Sequence, residues 1–378
     1  MLIKNYLFLL LLFFLLIEGC NTKSTKKLNS VEETKSTKKI NSVEETKFTK
    51  KFTSVKETIK LSGVEKSVKH TFNTPFTIYC VNQQLIVEDI NPKNKLLHLF
   101  DLPEYEYIGG VGTIGTKSLD FKGFELIDYY NSNNYVWALD VMENSITKIE
   151  LNKIKDNDDY KGSLEHFFRD IKVNKFMQMT DSTYLVELSN HKNRFALLDE
   201  RFDTLFTFLN WKSYEEIFSA QQSTYNELDS RLKNQLFKSD IIKNTNENLI
   251  AIVYRILPFF QIVNYTNQKV INVIGPEKLE ISSVAVSKRF SYFESVRINY
   301  LDACASKNCI YLIYSGKPFA EGDASINTQI YQFDWKGNVI RRILLDKKIS
   351  SIATNKEDSM FYGISENTKN YIIEYNRY

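Results

Sequence analysis

Histidine, cysteine and the residues that interrupt β-ladders are all scarce in this chain: 378 residues contain four His, four Cys, six Pro and thirteen Gly. His70, His98, His166 and His191 stand apart, and none has a second His or Cys at metal-ligand spacing. No Gly-x-Ser-x-Gly is present and no Cys/His pairing suggests a nucleophile. The expectation is therefore no metal, no cofactor and no catalytic residue. Nor is there an apolar run long enough to cross a bilayer as a helix. The longest, Tyr6–Ile17, has twelve residues where about 20 are needed. Charge of one sign is absent from the bulk of the chain, since Leu61–Tyr378 holds 37 basic and 40 acidic residues. Without a basic stripe, nucleic acid is excluded as a partner.

What is present begins at the N-terminus. Lys4, the apolar run Tyr6–Ile17 and then Ile17-Glu-Gly-Cys20 have the shape of an export signal ending in a small residue and a cysteine. Bacterial lipoproteins are cleaved before such a cysteine and acylated on its thiol. Cys20 is thus the expected lipid attachment, with Glu18 a departure from the apolar or small residue usual there. The alternative is an uncleaved anchor with Cys20 incidental. Acyl chains each contribute roughly 0.8 kcal/mol per buried methylene, so two or three hold a protein durably on a membrane.

Residues 20–60 read as a tether. Ser24-Thr-Lys-Lys-Leu-Asn-Ser-Val-Glu-Glu-Thr-Lys35 recurs as Ser36–Lys47 and decays in Phe48–Ile59. A twelve-residue period turns each copy's apolar pair by about 120° on a helix, so no stripe forms to bury. A solvated, disordered segment is expected. Its net charge of +6 over residues 21–60 suits anionic headgroups.

From residue 61 onward the composition favours strands, with 22 Tyr and 26 Phe. Short apolar runs recur between Asn, Asp, Gly and Lys, and they fall into six groups at a spacing of about 50 residues. The groups start near Pro75, Phe124, Lys175, Leu249, Ile298 and Ile349. The last is one strand short, and Thr58–Val68 has the character to supply it and close a ring. This predicts an all-β chain, a six-bladed β-propeller over 61–378 closed by an N-terminal strand. A pair of β-sandwiches is the competing architecture.

Four features bear on chemistry. Gly110-Val-Gly-Thr-Ile-Gly115 has the letters of a dinucleotide fingerprint, but no amphipathic helix follows to receive a pyrophosphate, so it reads as an inter-blade turn. Asp140, Asp199 and Asp334 sit beside turns and read as turn formers rather than channel ligands. Cys304 and Cys309 flank a hairpin turn and are a candidate disulfide in an oxidising compartment; Cys80 is left as a buried apolar group. Asn210–Leu236 alone has helical spacing. Its Tyr214, Phe218, Tyr225, Leu228 and Leu232 make a candidate lid over one face, where a partner docks.

The chain resembles the TolB-like six-bladed propeller lipoproteins of Bacteroidota. The resemblance lies in Cys20 after its signal, Gly110–Phe121, Tyr311-Leu-Ile-Tyr-Ser-Gly-Lys317, Tyr331-Gln-Phe-Asp-Trp-Lys-Gly-Asn-Val339 and Leu344-Leu-Asp346. It departs at Gly115-Thr-Lys-Ser-Leu-Asp-Phe121, where the family has Gly-Pro-x-Glu-Phe. The resemblance implies the fold and a cell-envelope location, and brings no catalytic residues.

The function expected is a lipid-anchored, non-catalytic binding or scaffold module for an envelope protein, peptide or glycan. The alternative is a hydrolase or lyase acting on a glycan or ester in the central channel. The basic Asn21–Lys27 after the acylated cysteine implies an outer-membrane anchor facing the periplasm.

Overall fold

The computed structural model describes residues 47–90, 95–117, 119–129, 134–155, 159–189, 191–218, 236–244, 246–279, 296–318, 327–365 and 367–377. Cys20, and the lid residues Tyr225, Leu228 and Leu232, lie outside them. Among the described residues no helix is long and apolar enough to cross a membrane.

Three short strands lead: β1 (Lys47–Lys51), β2 (Thr58–Leu61) and β3 (Gly63–Ser67). The remaining strands form six sheets. Blade 1 is β4 (Pro75–Val81), β5 (Gln84–Asp89), β6 (Leu97–Asp101) and β7 (Glu106–Val111). Blade 2 is β8 (Phe124–Tyr129), β9 (Tyr135–Asp140), β10 (Ser145–Glu150) and β11 (Ser163–Phe167). Blade 3 is β12 (Val173–Thr180), β13 (Thr183–Leu188), β14 (Asn193–Leu198) and β15 (Thr204–Asn210). Blade 4 is β16 (Ser239–Lys243), β17 (Leu249–Tyr254), β18 (Phe259–Asn264) and β19 (Lys269–Ile274). Blade 5 is β20 (Arg297–Ala305), β21 (Cys309–Pro318), β22 (Asn327–Asp334) and β23 (Val339–Ile349). Blade 6 is β24 (Ser351–Thr354), β25 (Met360–Ile364), β26 (Tyr371–Asn376) and, from the other end of the chain, β3. The architecture is a six-bladed β-propeller.

The middle strands explain its cohesion. Each blade packs on two neighbours, so a middle strand is covered on both faces and reads as a continuous apolar run rather than an alternation. In β17, Ile250, Ile252 and Tyr254 pack toward blade 3, while Ala251 and Val253 pack toward blade 5. Six apolar clusters result, one at each blade interface. A fully buried Val, Leu, Ile or Phe contributes roughly 1.5–3 kcal/mol relative to exposure.

The leading segment corrects the expected boundary. The fold begins at Lys47, inside the segment read as tether, because β1 and β2 are both paired. β1 lies parallel on β19, with Lys47 opposite Val270, and β2 lies parallel on β23, with Thr58 opposite Arg342. They add fifth strands to blades 4 and 5. β3 then runs antiparallel to β26, Gly63 opposite Tyr375, and completes blade 6. The predicted closing strand is thus the second half of Thr58–Val68; the first half belongs to the blade before. The third repeat copy reaches from β1 to β2, so one period spans one blade.

Phe52 anchors this strap between the blades. It is nearly buried and makes edge-to-face contacts with Tyr331 and Phe333 at 5.4 and 5.2 Å. Its amide bonds the Ile274 carbonyl. Gly275, at φ +143°, is required beside it: a Cβ there would stand 2.1 Å from the Phe52 carbonyl oxygen.

Candidate functional site: the channel wall

The first strand of each blade faces the central axis, so β4, β8, β12, β16, β20 and β24 form the channel wall. Their polar residues fall on two levels, set by spacing along β12 and β16. Lys175 and Asp240 lie on one level, and Gln178 and Lys243 three residues on, about 10 Å farther along the strand.

On the second level Asp128 of blade 2 meets Lys243 of blade 4, Nζ to Oδ1 2.9 Å, both nearly buried. Blade 3 supplies the bridge between them: the Gln178 amide donates to Asp128 Oδ2 at 2.7 Å, and Lys243 Nζ donates to the Gln178 carbonyl at 2.7 Å. Burial pulls the Lys243 ammonium below its ordinary range, with the Asp128 carboxylate opposing. The wall formed by blades 2 to 4 is thus tied together here by the protein's own ion pair.

On the first level Arg255 holds Asp240 with two hydrogen bonds of 3.1 Å. Burial raises the Asp240 carboxyl, but Arg255, Lys175 and Lys238 outweigh it and hold it below the usual range. Asp302 lies nearby and, among the described residues, pairs with no cation. Its Oδ2 accepts from the Ser351 hydroxyl at 2.6 Å and the Ile352 amide at 2.8 Å, and Ser351 Oγ also receives the Ile78 amide. Burial, then the Asp240 charge, push Asp302 up to about 6. Tyr79 completes this level, its phenol pushed far up by burial and by Glu88, Asp302 and Asp240. Two carboxyls with pKa values driven apart are, among the described residues, the acid–base feature of the channel.

The residues singled out from the sequence land elsewhere. Asp140, Asp199 and Asp334 are turn and cap residues. Asp140 accepts the Lys122, Gly123, Met142 and Glu143 amides; Asp199 accepts those of Arg201 and Asp203; Asp334 accepts those of Lys336 and Asn338. Gly110–Gly115 leads from β7 through a loop closed by an Ile114–Phe121 bridge into β8, not into a helix. Cys304, Cys309 and Cys80 are free thiols. The register sets Cys304 opposite Tyr311, so Cys309 is its diagonal neighbour. Diagonal Cα atoms lie about 7–8 Å apart, at or beyond disulfide reach.

Of the lid, the described residues include the short helix α1 (Lys212–Ile217). Tyr214 and Phe218 are buried in the cluster between blades 3 and 4, with Leu236 and Phe237. They are core residues and present no surface. Tyr214 instead joins the buried Arg194, whose five donors all find acceptors. Nε reaches Glu187 at 2.7 Å, Nη1 the Tyr214 and Tyr254 hydroxyls at 3.0 and 2.7 Å, and Nη2 the Phe237 carbonyl and Ser239 hydroxyl at 3.0 and 2.7 Å.

The histidines, set apart in the sequence, do not all stay apart in space. His98 is buried, and His70, 28 residues earlier, comes within ligand range of it beside Asp89. Sequence spacing could not show this, because the loop after β3 carries His70 back to blade 1.

No curated protein matches the chain. Two solved structures resemble it. A protein of Bacteroides fragilis assigned to export has a TM-score of 0.52 at 11% identity, covering 88% of this chain and 99% of its own. A member of the DUF4221 family from Bacteroides vulgatus has a TM-score of 0.51 at 10% identity, covering 85% and 96%. At such identity these share the fold alone. The family model described as TolB-like 6-blade propeller-like matches residues 48–357, from the first strap strand into blade 6. With six blades, self-paired channel charges and that match over most of its length, the chain belongs to the TolB-like six-bladed propeller family.

Proposed function

We propose that this propeller is a non-catalytic binding or scaffold module, held in the bacterial cell envelope by acylated Cys20, that engages an envelope protein, peptide or glycan. The observation that carries the reading is the Asp128–Gln178–Lys243 bridge along the channel wall, from blade 2 over blade 3 to blade 4. A catalytic channel needs convergent acid and base groups open to a substrate. Here most channel charges are spent on one another, which leaves loops and rim for recognition. The rim has apolar side chains to offer: Leu164 and Phe167 on β11 and Leu205 on β15 are each more than 40% exposed. Outer-membrane attachment facing the periplasm follows from the basic segment after Cys20.

The second reading, a hydrolase or lyase acting in the channel, draws its support from Asp302 beside Asp240 alone. One comparison separates the two. Partners captured by crosslinking in intact envelopes are expected to be the same for the wild type and for Asp302→Asn, and Cys20→Ser is expected to release the chain from the membrane fraction. Turnover of a glycan or ester by the wild type that disappears in Asp302→Asn would replace the binding role with the enzymatic one.

A further inference from the structure

We propose that His70, Asp89 and His98 bind a late first-row divalent cation, Zn2+ being the test case, at the point where the ring closes. Three elements converge there. His70 lies in the connection 68–74, which leaves β3 in blade 6 and enters β4 in blade 1. Asp89 ends β5, and His98 sits on β6.

One ligand atom from each lies within 4.8 Å of the others. His98 Nε2 stands 4.0 Å from Asp89 Oδ2, too far for a hydrogen bond. His98 is 1% exposed, yet its Nε2 has no partner, and the Nε2 of His70 is likewise shielded and unpartnered. Buried polar atoms are nearly always paired, so two orphaned imidazole nitrogens in one cluster with a carboxylate point to a missing ligand. The rest of the shell is already oriented. His98 Nδ1 is 3.3 Å from the Tyr107 hydroxyl, which fixes the ring from behind as metal-binding imidazoles require. Asp89 accepts the Thr74 amide on Oδ1 and the Asn73 amide on Oδ2, and each oxygen keeps a second lone pair.

Capping alone does not explain the group. Asp140 holds the Lys122 and Gly123 amides ahead of β8 as Asp89 holds those ahead of β4. Among the described residues, no His/Cys/Asp/Glu cluster of this kind forms around it.

Two nitrogens and one carboxylate favour Zn2+, Co2+ or Ni2+ over the hard, oxygen-seeking Mg2+ and Ca2+. Tetrahedral zinc at about 2.0–2.2 Å from its ligands sets them roughly 3.4 Å apart. The observed separations therefore close by about an ångström, a movement available to half-buried His70 on its loop. Beside His98 the space between blades 1 and 2 is apolar and too tight for water. A fourth, solvent ligand would come from the His70 side. Bound there, the ion ties the closing connection to blade 1, independently of what the propeller recognises.

The test is titration of the untagged, chelator-stripped chain with Zn2+ by calorimetry, and with Co2+ by visible absorption. Expected are one Zn2+ per chain, a Tm that rises with excess metal, and the intense cobalt bands of a four-coordinate site. His70→Gln and His98→Phe should each weaken Zn2+ binding at least tenfold, while His166→Gln leaves it unchanged. The proposal fails if cobalt keeps the pale spectrum of the hydrated ion, if no one-to-one binding is seen, or if His70→Gln binds as the wild type does. Should His98→Phe not fold, His70→Gln and the cobalt spectrum still decide.

Discussion

Arg194 and His98 are both fully enclosed ionisable side chains on third strands of their blades, and they live under opposite conditions. Around Arg194 every donor is met, and the bonds run on from Tyr254 to Gln261 to Asn272 and, at 3.5 Å, to Thr49 in the strap. Around His98 the inward nitrogen has nothing. A buried charge with all its bonds made specifies how blades 3 and 4 seat. A buried imidazole with a bond left open is a place held for something else. Complete satisfaction marks structure; two orphaned imidazole nitrogens gathered with a carboxylate mark a site.

Breaking the satisfied side should have the largest effect. Arg194→Met leaves the Glu187 carboxylate and two phenols buried without their cation, and a loss of about 3–5 kcal/mol is expected in chemical denaturation. Lys243→Met strands Asp128 in the same way, but nearer the channel, so about 2–4 kcal/mol is expected from the same measurement. Asp302 sharpens the contrast through pH. Its folded pKa, near 6, exceeds that of an unfolded aspartate, so the folded state holds the extra proton. That contribution is full below about pH 4 and is lost as pH rises through 6, a decline of about 3 kcal/mol. Asp302→Asn should flatten that part of the stability–pH curve. The smallest effect belongs to the open side. In metal-free protein, His98→Phe removes an orphaned polar atom and keeps a ring, so Tm should hold or rise slightly. A large loss there would show that Nε2 is bonded after all and would dissolve the comparison.

The fold was legible in the sequence where strands are middle strands. Gln84–Asp89, Tyr135–Asp140 and Leu249–Tyr254 announce themselves because both faces are packed. Two strands left no signal. Ser163–Phe167 is an outer strand with mostly exposed side chains, and Ser239–Lys243 is an inner one whose Asp240 and Lys243 face the channel. β1 was hidden for a different reason, and β2 was read only as part of the closing strand: a parallel strand added to an edge needs only backbone partners, so a Lys/Thr-rich repeat can supply it. The channel acids Asp128, Asp240 and Asp302 sit inside or beside apolar runs, whereas the conspicuous aspartates proved to be turn residues. The His70–His98 meeting depends on ring closure, which no local spacing encodes.

The strap also decides how the molecule bears load. Coming from its N-terminus, the chain reaches β1 on blade 4 first, then the Phe52 plug, then β2 on blade 5, and only last the closing strand of blade 6. These attachments act in series, like stitches ahead of a seam. A pull on the leading end must peel one before it strains the next. The ring can therefore lose its outermost stitch under tension and refasten it, while the closure itself stays unloaded.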